Sequence, residues 1–146
     1  MSITHFCFVV GGVAALSGMS LGIFMGIAQD FSLTPVHAHL NLLGWVTMAL
    51  YGLYYRDRSS DAGRLQWTQV WAAAFGVPLM TGGLALMLTE AVPALSGVAE
   101  PAIITGSLLT IAAMALFLSV VVRDAIPSTK RRRGLEVDFD FDPRSS

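Results

Sequence analysis

The chain has 146 residues, of which 54% are hydrophobic and only 13% charged, with a net charge of −1. An ordinary soluble domain carries about a quarter charged residues, so this composition argues against one, and no nucleic-acid partner is expected. The missing charge reflects four runs without Asp, Glu, Lys or Arg: residues 1–29, 34–55, 65–89 and 101–122.

Each run exceeds the roughly 20 helical residues that cross a hydrocarbon core. Helices of a soluble bundle would carry a polar face at a period of 3.6, and none of these runs does. The expected fold is all-α, a four-transmembrane-helix bundle running up-down-up-down. Its membrane domain is residues 1–123, with spans at about 3–29, 34–55, 67–89 and 101–123. All nine basic residues follow Tyr55, in the 56–64 connection and from Arg123 onward. The connections 30–33 and 90–100 have none, so the positive-inside rule places both termini in the cytoplasm. The chain is expected to be a multi-pass protein of the lipid bilayer, in a bacterial inner membrane.

Span one lacks a positive n-region and is too long for a secretory h-region, so it is expected to remain as a mature span. Its single cysteine, Cys7, has no internal disulfide partner and reads as a packed small side chain. Gly18, Gly22 and Gly26 form two overlapping GxxxG units on one face. Such a stripe admits a close helix or a flat ligand, with ordinary helix packing the commoner use and porphyrin clearance the sharper one.

A four-residue turn, 30–33, leads to Thr34 as expected N-cap and Pro35 at the first helical position. Span two ends in Tyr51, Tyr54, Tyr55 and Arg56, an interfacial anchor set. Trp67 and Trp71 open span three at the same interface, and Pro78 should kink it. Gly82 and Gly83 offer another close-approach point. Span four starts at Pro101. The tail, 124–146, is expected to be a disordered cytoplasmic segment. Its basic run at 130–133 is suited to anionic inner-leaflet lipid. No phosphate-binding loop, zinc spacing or nucleophile–base motif is present.

Two of the three histidines open span two, where ionisable side chains are costly and mark functional sites. In a regular helix His37, Asn41, Gly44, Trp45 and Met48 share one stripe, whereas His39 lies about 200° away from His37. The pair therefore should not chelate one ion. A helix N-terminus disfavours imidazolium and keeps the His37 ring neutral, as a heme iron ligand requires. Gly44 and the glycines of span one would leave room for a macrocycle, and Asn41 or Trp45 would bond its substituents. The plainer alternative is a solvated interfacial histidine, with His39 structural. His5 lies at the opposite membrane face.

The stretch 34–45, Thr-Pro-Val-His-Ala-His-Leu-Asn-Leu-Leu-Gly-Trp, resembles the start of the second helix in subunit I of the heme-copper oxidases and nitric oxide reductases. The resemblance covers spans one and two. It implies that His37 is an axial ligand of a b-type heme near the outer surface. That family has about twelve helices and several more histidines, so the count here excludes a complete oxygen- or NO-reducing centre in one copy. A second axial ligand would come from His37 of another subunit, from His39 if the helix start is distorted, from Met19 or Met25, or be absent. The resulting expectation is a small, homo-oligomeric heme protein for electron transfer or diatomic gas binding, its redox partner unspecified. The alternatives are a non-catalytic membrane subunit or assembly factor, and a copper or zinc site shared by His37 and His39 of neighbouring subunits.

Overall fold

The computed structural model describes residues 1–58, 63–89 and 96–126, and these are helical, with no strand among them. The basic run at 130–133 and the tail from residue 127 lie outside the described residues, as do 90–95 of the outer connection. Helix α1 covers Ile3–Ala28. Residues 34–55 are helical throughout but in three registers: α2 (Thr34–His39), a π-helical segment (Leu40–Val46) and α3 (Thr47–Tyr55). A 3₁₀ turn follows at Arg56–Arg58, then α4 (Arg64–Thr89) and α5 (Ser96–Ala125). Three helices, α1, α4 and α5, are long and apolar enough to cross a membrane, the pattern of a multi-pass membrane protein. Large apolar side chains such as Val13, Leu16, Ile23, Leu108 and Leu118 are exposed on the outside, where lipid tails would meet them.

Small residues set the helix pairings. A Cβ on Gly52 would meet Cys7 at 3.1 Å, one on Gly44 would meet Ala14 at 2.6 Å, and one on Gly22 would meet His37 at 2.8 Å. Residue numbers on α1 thus rise as those on 34–55 fall. The α4–α5 interface is the most extensive, and it follows the same rule. Gly76 faces Thr110 and Leu109, and Gly83 faces Ala99 and Ala102. Lipid tails are as apolar as leucine, so such backbone-to-backbone packing, and not water exclusion, holds helices together there.

One end of the bundle is the best-packed region. Ile3, Phe6 and Cys7 of α1 join Tyr51 and Tyr55 of α3, Val70 and Ala73 of α4 and Val120 of α5 in one core. The Phe6 ring packs against Trp67 and Trp71, at centroid distances of 5.7 and 4.5 Å. The Tyr54 hydroxyl donates to Asp124 at 2.9 Å. Arg56, Arg64 and Arg123 all belong to this end.

Some boundaries depart from expectation. Thr34 does not cap: its hydroxyl donates to the Phe31 carbonyl at 2.6 Å, and Leu33 precedes the helix without a side-chain cap. Helix α4 contains Pro78, as expected of span three, and the Thr81 hydroxyl donates to the Val77 carbonyl at 2.8 Å. Helix α5 begins at Ser96, so Pro101 falls inside its second turn instead of opening it.

Candidate functional site: the His37 imidazole

The turn that delivers His37 is defined by short-range bonds. Gln29 ends α1 in the left-handed region at φ 53°, its side-chain amide donating to Gly26 O at 2.6 Å. The Asp30 carboxylate accepts from Ser32 N–H at 3.0 Å. These Ser32 hydrogen bonds, the backbone one first, hold the Asp30 carboxyl below its ordinary value. The His37 amide then donates to Leu33 O at 3.0 Å, which sets the first turn of α2.

The ring lies on the backbone of α1. Nδ1 is 2.7 Å from the Gly18 carbonyl oxygen. A carbonyl only accepts, so Nδ1 carries the proton and donates. Nε2 is then the nitrogen with the free lone pair, and it makes no hydrogen bond among the described residues. A ring oriented through Nδ1–H onto a backbone carbonyl, with Nε2 open, is the usual arrangement of a metal-ligating histidine.

Asn41 supports the same contact. Its amide nitrogen donates to the His37 carbonyl at 2.8 Å, and a Cβ on Gly18 would come within 2.5 Å of that nitrogen. The His37 carbonyl thus accepts from a side chain that stands at the start of the π-helical segment. At the far end, both the amide and the hydroxyl of Thr47 go to Leu42 O, the hydroxyl at 2.9 Å, before α register resumes. Hydrophobic periodicity carries no signal for this distortion.

The five-residue stripe reaches α1 despite the π segment. His37 lies over Gly22, Asn41 over Gly18 and Gly44 over Ala14, while Trp45 and Met48 each lie 3.2 Å from a Cβ on Gly11. The glycines therefore make room for residues 34–55 themselves. The clearance expected for a flat macrocycle over Gly18, Gly22 and Gly44 is filled by His37, Asn41 and Ala14. Gly26 differs, with nothing within 4 Å of its Cβ position.

His39 stands apart from His37. Its Nδ1 donates to Pro35 O at 2.6 Å, within its own helix. His5 belongs to the other end of α1, paired with the Ser2 hydroxyl at 2.6 Å and about 25 Å along the axis from Gly22. No three or more His, Cys, Asp or Glu come together as a metal cluster among the described residues. Met25 is buried at 4% exposure, whereas Met19 is 52% exposed, so only the latter has surface to offer an external ligand. Two cavities flank the π segment, of about 310 Å³ against α1 and α4 and about 260 Å³ against α4 and α5. His37 lines neither.

For a heme, the donor atom fits and the interior does not. His37 is half-buried, and Met19 and Ile23 of α1 are exposed. No protein-family model, curated protein or solved structure matches this chain.

Proposed function

We propose that this chain is a four-span heme-binding membrane protein related to the oxidase core, with His37 as axial ligand through Nε2. The observation that carries the reading is the 2.7 Å contact between Nδ1 and Gly18 O, which fixes the tautomer and leaves Nε2 available. The bound heme would supply a reducible iron for electron transfer or for binding a diatomic gas. His37 would supply the ligand nitrogen, Gly18 O orients the ring, and Asn41 bonds the His37 carbonyl. The filled glycine stripe supports a heme shared at the surface between two copies, each contributing His37.

The reading includes a topology. The contact order along α1, residues 34–55, α4 and α5 supports an up-down-up-down bundle. The arginines gathered at the Tyr54–Asp124 end support a cytoplasmic location for both termini in a bacterial inner membrane.

An absorption spectrum of the protein purified from heme-replete cells tests the proposal. A Soret band that sharpens on reduction and disappears in His37→Ala is expected. Its survival in that variant would refute the ligand assignment.

One observation favours a second reading, a structural membrane subunit or assembly factor. Both ring Nδ1 atoms are already used within the fold, on Gly18 O and Pro35 O. A colourless preparation selects it. Bound copper or zinc without porphyrin, lost on replacing either histidine, selects a metal site shared between subunits instead.

A further inference from the structure

A groove of about 810 Å³ runs along the outside of α4, lined by Gly63, Arg64, Trp67, Thr68, Trp71, Ala72, Phe75 and Leu109. It is remote from His37, and nothing in the proposed heme chemistry uses it. Arg64, Thr68, Trp71 and Phe75 are spaced by four, three and four residues, so they form one stripe on one helix face. Chemistry changes along that stripe in a single direction. Arg64 stands at the end of α4 and forms no ion pair among the described residues. The exposed Thr68 hydroxyl and the Trp67 indole come next. Trp71 and Phe75 then stack at 5.3 Å with planes 20° apart, both substantially exposed. Leu109 of α5 forms the far wall.

From Arg64 to Phe75 is about 16 Å of helix. One leaflet of hydrocarbon is about 15 Å deep. A cation and polar donors at the interface, continuing into an apolar trough one leaflet long, match one kind of occupant. We infer that this groove binds an anionic phospholipid, its phosphate on Arg64 and Thr68 and one acyl chain along Trp71, Phe75 and Leu109. A free phosphate would leave the trough unused, and a zwitterionic lipid would gain less from the guanidinium. The inference rests on the chain being a membrane protein and is independent of the heme.

Tryptophan quenching in nanodiscs tests it, with brominated phosphatidylglycerol compared against brominated phosphatidylcholine, each referenced to the same unbrominated lipid. Phosphatidylglycerol is expected to bind about fivefold more tightly, the preference one basic residue confers near a membrane surface. Arg64→Gln should abolish the preference, while Arg56→Gln, outside the groove, should keep it. Phe75→Ala should weaken quenching by both lipids and leave the headgroup preference intact. Equal quenching by the two headgroups, or a preference that survives Arg64→Gln, overturns the lipid site but not the membrane reading. Absence of quenching by either lipid overturns both.

Discussion

The His37 imidazole and the Gly18 carbonyl, 19 residues apart in sequence, are joined by a 2.7 Å hydrogen bond that ties α2 to α1. That bond has a structural and a chemical role, and substitutions separate them. Glutamine at position 37 retains a side-chain N–H donor but has no imidazole. His37→Gln should therefore keep the apparent Tm in detergent near that of the parent while losing the heme spectrum. His37→Ala should lose the spectrum and also about 1 kcal/mol of stability, the typical loss for one interhelical hydrogen bond in a membrane. Equal heme content in all three proteins would show that this ring is only a strut.

The glycines of span one make a sharper test of how that ring is seated. A methyl group on Gly22 would lie 2.8 Å from His37 Cε1 and 3.1 Å from Nδ1, so the imidazole must move off Gly18 O. Gly22→Ala is expected to cost about 1–3 kcal/mol, as overpacking does, and to reduce heme retention together with stability. Gly26→Ala, the next unit of the same motif, meets nothing within 4 Å and should be neutral. Thermal unfolding of the two variants side by side checks the contrast.

Much of this architecture was legible in the sequence, for identifiable reasons. Run length and absence of charge mark membrane helices directly, because unpaired charge is what a bilayer excludes. Glu100 and Pro101 were misleading, since one read as the end of a loop and the other as the start of a helix, although α5 starts at Ser96 and accommodates both in its first two turns. The pairing of His37 with Gly22 was within reach, because a four-residue turn makes its flanking helices antiparallel neighbours. The π segment was not, because neither run length nor hydrophobic periodicity encodes the hydrogen-bond register of a helix. The observed packing turned the glycine stripe from clearance for a ligand into a seat for two polar side chains.

Neighbouring glycines in α4 should diverge in the same way. A Cβ on Gly83 would be 2.7 Å from the Ala99 carbonyl oxygen, a backbone atom that cannot rotate away, whereas Gly82 has open space. Gly83→Ala should separate α4 from α5 and cost about 1–3 kcal/mol. Gly82→Ala should be neutral or slightly stabilising, since alanine is the better helix former. Apparent Tm values in one detergent decide it, and equal effects would contradict the observed α4–α5 packing.

The Asp30 turn should respond to acid. Hydrogen bonds from Ser32 favour the carboxylate, so the folded pKa lies below the unfolded one. The resulting stabilisation is fully present above the ordinary aspartate pKa of about 3.9 and is lost as pH falls through the lower, folded-state value. The side chain is fully exposed, so the effect is confined to the turn and screened by salt. An NMR titration of Asp30 should show the depressed value, and Ser32→Ala, which keeps the backbone donor, should raise it only part of the way. A normal titration in the parent would contradict the turn geometry.

At the opposite end of the bundle, Gln69 is fully buried, and its Oε1 accepts from the Tyr55 hydroxyl at 3.2 Å, while its Nε2 has no hydrogen-bond partner within 3.5 Å among the described residues. Tyr55→Phe removes that donor and leaves the buried Oε1 unsatisfied, which should cost about 1–3 kcal/mol. Gln69→Leu removes the buried amide but leaves the hydroxyl without its acceptor, so it should also destabilise. The double substitution removes both polar groups from a site that Ile3, Cys7 and Val70 already make apolar, and it should recover most of the loss. A double-mutant cycle of unfolding free energies in detergent measures this. Simple additivity would mean that the two side chains do not interact, and that the unpaired Nε2 is satisfied in some other way.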